Sequence, residues 1–371
     1  MLSLKLNNRI KGVIVGLLVL AVALFAFAFR GFLLGPGAGD QEFVETDRVS
    51  RHPLSGALLD EAIELPRVYG VMVENHFESW PQSGLEEAVL VVEAPVEGRI
   101  PRLLAFYSEE QEVEKIGPVR SARPYYLDWN GELDAVYAHV GGSPDALELL
   151  QVDDTIDINE FSNEWFFWRD EARSAPHNVY TSMDLLEQAL DRFVSRFGAQ
   201  ENGWESWKFK DDVPPVVGSR QSEASAGENG NEEKEKEKRG VTIDFAGSPY
   251  LIDWKYQMEA NVYRRFQDGE LHEMENGALI EANNVVVMET DMEILDAVGR
   301  RHVRTTGEGD ALLFQDGRVI TATWKKTTRS VRLRFYERES GEEIAMNAGK
   351  TWIEVVPSLE GDVTVEEEEQ E

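Results

Sequence analysis

With 371 residues and 42% hydrophobic content, the chain is long enough for about two packed domains. Its 69 Asp and Glu against 37 Lys and Arg leave a net charge of −32, which repels nucleic acid and argues against a DNA- or RNA-binding role. Cysteine is absent, which excludes disulfides, thiolate metal sites, thiol catalysis and a lipid-modified N-terminal cysteine.

Residues 12–29, GVIVGLLVLAVALFAFAF, form 18 uninterrupted apolar or glycine positions. As a helix this run spans roughly 27 Å, close to the hydrocarbon thickness of a bilayer. Lys5, Arg9 and Lys11 precede it and acids follow, so the N-terminus is expected in the cytoplasm and the remainder outside a cell membrane crossed once. Ala26-Phe27-Ala28 keeps a cleaved signal peptide as the alternative, and either reading exports the rest. Residues 1–34 are read as stub and anchor, and 35–66, with Pro36, Pro53 and Pro66, as a stalk.

The first exported domain, 67–212, reads as a mixed α/β sheet with helices. Strands are expected near 68–73, 88–94, 102–107 and 135–140. A helix over 119–129 would set Arg120 and Arg123 one turn apart, facing one point. Gly141-Gly142 breaks the following strand, and Ser143-Pro144 opens a helix whose N-terminus suits an anion. Aromatic residues 165–168 are expected to pack in the core or cover the sheet, with stacking on a sugar or base as the alternative, and 175–178 are expected in a loop. Thr181 with Asp184 fits a capping box before an amphipathic helix that ends at Gly198.

Residues 213–240 are charged, lack aromatics and read as a linker. The second domain, 241–357, is expected to be mainly β, with Asp268-Gly269 and Asp316-Gly317 as hairpin turns. Lys325, Lys326, Arg329, Arg332 and Arg334 form a basic patch, a solvated strand face or an anion- or partner-binding one. The acidic tail is 358–371.

Polar groups collect just beyond the strand-like runs, where open α/β sheets bind ligands. The candidate ligand-binding residues are His76, Glu93, Arg120, Arg123, His139, Ser143, His177 and Asn178. Arginine suits phosphate or carboxylate because its planar fork bonds both oxygens.

In order along the chain, ENHFESWPQSGLEEAVLVVEAPVEGRIPRLLAFY, KIGPVRSARPYYLDW, DAVYAHVGGSPDAL, APHNVYT, FQDGRVITATWKK and NAGKTWIEVVP resemble the YerB-like family of exported bacterial proteins. The resemblance covers residues 67–357 apart from the insert at 211–240. It implies a bacterial envelope location and no established catalytic residues. Many of its members carry a lipid-acceptor cysteine, which this sequence lacks.

Two functions stand side by side. One is a binding or scaffold module holding an anionic cell-wall ligand or an envelope protein through Arg120, Arg123 and His139. The other is a hydrolase of an envelope phosphodiester or glycan. It would use His139 as base, or His76, His139 and His177 as zinc ligands with Glu93 or Glu97 as base. The spacing matches no recognised metal motif, so no metal, cofactor or reaction is assigned.

Overall fold

The computed structural model describes residues 50–198, 202–211 and 238–367. The expected membrane anchor, most of the linker, stalk residues 35–49 and the last four residues lie outside the described residues. Among the described residues no helix is long and apolar enough to cross a membrane.

Strands β1 (Val68–Glu74), β2 (Leu90–Pro95) and β3 (Pro101–Ser108) are buried at every position. Their near-continuous Val, Leu and Phe content is what a strand covered on both faces requires. Beside them run β4 (Val136–His139) and β5 (Asp157–Asn159). The second region supplies β6 (Lys238–Asp244), β7 (Leu251–Gln257), β8 (Val262–Gln267), β9 (Asn284–Glu289), β10 (Gly307–Gln315), β11 (Arg318–Lys326), β12 (Arg334–Glu337), β13 (Thr351–Val356) and β14 (Val363–Glu367).

The first region is mixed α/β and the second mainly β. One ten-stranded sheet, ordered β12-β11-β10-β9-β13-β2-β3-β1-β4-β5, runs through both. Its seam is the parallel pair β13–β2, with Thr351 opposite Leu90 and Glu354 opposite Glu93. Strands β6, β7, β8 and β14 belong to a second, six-stranded sheet.

Each face of the long sheet has its own core. Val71, Val73, Val91 and Ala105 join Val241, Ile243 and Trp254 of the second sheet, together with Met183, Leu186 and Ala189 of helix Met183–Phe197. On the other face Leu104, Phe106, Val286 and Ile353 pack with Tyr126 and Trp129 of helix α1 (Pro124–Gly131) and with Ala146 and Leu150 of α2 (Pro144–Val152). The helix Met183–Phe197 is α3.

Both Asp-Gly pairs turn two-residue hairpins. Gln267 pairs with Glu270 and Gln315 with Arg318. Asp268, Gly269, Asp316 and Gly317 all have positive φ, as this kind of turn demands. Ser143 caps α2 by accepting from the Ala146 amide, with Pro144 at the first position. The cap of α3 is Ser182, one residue beyond Thr181, whose hydroxyl instead donates to the Phe166 carbonyl.

Helix α1 starts at Pro124, not at 119, because a proline holds the preceding residue in extended conformation; Arg123 has φ −133° and ψ 151°. Of the expected stalk, Leu54 is buried in the core, and Ser50–Arg51 pairs with Leu58–Leu59. In the expected tail, β14 pairs with β6.

The basic patch is paired carboxylate by carboxylate. Lys326 and Arg332 are buried on Glu132, and Arg329 meets Asp128 and Asp153. Arg334 meets Glu205 and Glu343, and Lys325 meets Glu308. All but Lys325, whose exposed pair bridges β11 and β10, cross-link this region to α1 and neighbouring loops.

Candidate functional site

β1 and β2 both run antiparallel to β3, so their carboxyl ends and the start of β3 meet at one end of the sheet. A pocket of about 160 Å³ opens there. Glu74, Asn75 and His76 leave β1 into it, Val96 and Glu97 follow β2, and Ile100, Pro101 and Arg102 lead into β3; Arg120 closes a side.

Two of its carboxylates are already matched by guanidiniums. Glu74 is 3% exposed, and its Oε1 lies 2.9 Å from Arg120 Nε. Glu97 takes both bonds of the Arg123 fork, from Nε and Nη2 at 2.7 Å each. Burial works to raise the Glu97 carboxyl, but the Arg123 bonds and charge outweigh it and hold the group below the usual carboxylate value.

Arg102 differs. It is 8% exposed, yet among the described residues no carboxylate pairs with it; Nη1 donates to the Ser121 carbonyl at 2.7 Å. Burial, with the neighbouring charges of Arg123 and Arg120 adding to it, pulls its pKa down to about 10. An anion entering the pocket would relieve both effects.

The sequence candidates divide around this pocket. His76, Arg120 and His177 do come together about Glu74. The rings of His76 and His177 stack with centroids 5.2 Å apart, and His177 Nδ1 lies 2.9 Å from Glu74 Oε2. Arg120 Nη1 also donates to the Pro176 carbonyl beside His177. Arg123 reaches the site through Glu97 and does not face the same point as Arg120, since no helix joins them.

His139, Ser143, Glu93 and Asn178 are occupied elsewhere, a correction to the expected convergence. His139 is fully buried, with Nδ1 2.6 Å from the Gly141 carbonyl and Nε2 2.7 Å from Asp157, so the three-histidine zinc set does not form. The expected anion seat at α2 is filled internally, by the Ser143 cap and by Asn159 accepting from the Gly141 amide. Asn178 braces its own loop, bonding Arg169 and the Arg173 carbonyl.

Glu93 lies in the core. Strand alternation turns it with Val91 toward the second sheet, where Arg265 donates to both its oxygens at 3.1 and 2.8 Å. Asn75 and Trp352 also donate to it. Arg265 further donates to Gln267 and to Nδ1 of His272, whose Nε2 then faces Gln82. Because Asn75 also lines the pocket, the pocket floor is tied directly to this buried network.

Sequence reasoning missed Arg102 as a site residue. The signal was present: an arginine on the Leu104 and Phe106 face of an otherwise apolar buried strand needs a partner or a purpose.

Comparison with known proteins agrees with this architecture. Residues 54–196 match the family model described as the N-terminal domain of a protein of unknown function (DUF3048), and 241–353 match its C-terminal domain. The chain is 31% identical over 340 residues, 90% of its length and 95% of the relative's, to the Bacillus subtilis (strain 168) protein named "Putative lipoprotein YerB". The crystal structure of YerB from Bacillus subtilis superposes with a TM-score of 0.70 at 28% identity, covering 85% of this chain and 99% of that one. With both domain models in order and this relative along nearly its whole length, the chain belongs to the YerB-like DUF3048 family.

Proposed function

We propose that this protein is a membrane-anchored, extracytoplasmic binding module of the bacterial envelope whose pocket holds an anionic group at Arg102 and Arg120. The observation that carries the reading is Arg102, a nearly buried guanidinium with no carboxylate partner among the described residues, at the mouth of a pocket. Burying such a charge without a counter-ion costs stability, and a phosphate or carboxylate ligand supplies that counter-ion bidentately. Val96 and Ile100 give the pocket an apolar wall. The lipoprotein name of the relative supports the envelope location. Since this sequence holds no cysteine to accept a lipid, we assign anchoring to the apolar run at 12–29.

The test is thermal unfolding of the detergent-solubilised full chain, followed by tryptophan fluorescence, with inorganic phosphate, teichoic-acid fragments and muropeptides. At least one anion should raise the midpoint progressively with concentration. Arg102→Met should abolish that response while leaving the ligand-free stability within about 1 kcal/mol of wild type, since a costly buried charge leaves with its single hydrogen bond. Absence of any anion-dependent shift in the wild type, or an unchanged shift in Arg102→Met, overturns the reading.

A further inference from the structure

We infer that His76, Glu78 and His177 form a binding site for one divalent cation of the zinc class. Ligand-capable atoms of the three side chains all lie within 4.8 Å of one another. Glu78 Oε2 stands 3.2 Å from His177 Nε2 and 3.6 Å from His76 Nδ1. Two ligands of a tetrahedral zinc, each about 2.0–2.1 Å from the metal, are separated by roughly 3.3–3.5 Å, so these spacings suit a shared ion.

His177 is also wired as a metal ligand. Its Nδ1 faces the buried carboxylate of Glu74, an acceptor, which places the ring proton on Nδ1 and the lone pair on Nε2. That lone pair then meets the Glu78 carboxylate at 3.2 Å, acceptor against acceptor, and only a proton or a cation between them makes the contact favourable. A carboxylate behind a histidine is the usual support of a metal-bound imidazole, and Glu74 supplies it.

His76 Nδ1 accepts a long bond of 3.3 Å from the Glu78 amide, which a cation on the same lone pair would replace. The Glu78 side chain is 56% exposed, giving the ion a path from solvent and an open coordination position. Two imidazoles and one carboxylate suit zinc, iron or manganese better than calcium or magnesium. His76 also lines the Arg102 pocket, so the cation sits beside it, but the site stands without the anion-binding reading.

Equilibrium dialysis of the untagged full chain in detergent, stripped with chelator and titrated with zinc chloride, tests this; visible absorption of the cobalt form reports the coordination. The expectation is about one saturable equivalent, with His76→Ala and His177→Ala each weakening binding about 100-fold and Glu74→Gln about 10-fold through the orientation of His177. Glu78→Gln changes the most exposed of the ligands and should weaken binding by about 10-fold or more with an unchanged circular dichroism spectrum. Arg102→Met should bind zinc as the wild type does, which keeps this result separate from the anion test. Failure of zinc, cobalt and manganese to bind saturably below millimolar concentration, or binding that survives His76→Ala with His177→Ala, overturns the inference.

Discussion

Glu93 and Glu354 sit directly opposite each other in adjacent parallel strands, both fully buried, with the single guanidinium of Arg265 beside them. One cation balances one carboxylate, so the other is expected to keep its proton. Burial, and then the charge of Glu93, raise the Glu354 carboxyl well above its ordinary value, while Arg265 donates to both oxygens of Glu93. A carboxyl whose folded pKa is raised binds a proton more tightly folded than unfolded. Its stabilising effect is therefore complete below the unfolded value near 4.5 and is lost as pH rises toward the folded one. Glu354→Gln keeps the shape and the neutral state, and so removes that loss. Its stability relative to wild type should grow as pH rises above about 5, by up to about 1.4 kcal/mol per pH unit, measured by urea unfolding. A parallel pair of pH profiles would mean that Glu354 is ionised in the fold. None of this was legible in the sequence, because the register that sets residue 93 against residue 354 is a long-range pairing with no local signal. His76 was found because it follows a buried strand run, and His177 because Pro176 marks a loop, but their partner Glu78 is an ordinary exposed glutamate in sequence terms.

Turns, the α2 cap and strand runs were legible because their causes are local: Asp-Gly forces positive φ, Ser-Pro starts a helix, and apolar β-branched runs make buried strands. The segment before α1 was misread because helical spacing was extended through Pro124. The basic strand face was misread for a different reason, since its partners come from elsewhere in the chain. Glu132 lies just past the end of α1, where a negative charge opposes the helix dipole, yet it receives Lys326 Nζ at 3.1 Å, the Arg332 guanidinium and the Leu333 amide. Arg332 in turn stacks on Trp207 at 3.8 Å. This carboxylate ties a helix end to the end of β11 and to the loop that leads into β12, and removing it leaves two buried cations unpaired. Glu132→Ala is expected to destabilise by roughly 3–5 kcal/mol in denaturant unfolding. A loss under about 1 kcal/mol would show these charges to be hydrated, as in a surface pair.

At the scale of the molecule, the two family domains are halves of one sheet. β2 from the first and β13 from the second are neighbours, each with another strand on its far side, so the seam runs through the middle of the sheet. Across it, Arg265 from the second half neutralises Glu93 from the first, and Gln267 donates to Asn75 at the pocket floor. Cutting the chain in the linker leaves each half with an open central edge and a severed ionic network, a state prone to pairing with other chains. Residues 50–211 and 238–371 made separately should therefore lack cooperative unfolding and aggregate, whereas co-expression should return one complex with the near-ultraviolet dichroism of the intact chain, in which Trp352 donates across the seam to Glu93. Asn75 makes the pocket depend on that complex: the first half carries every pocket-lining residue, yet should respond to anions only when the second half is present. Cooperative unfolding and anion response by the first half alone would show the seam to be an ordinary contact between independent domains.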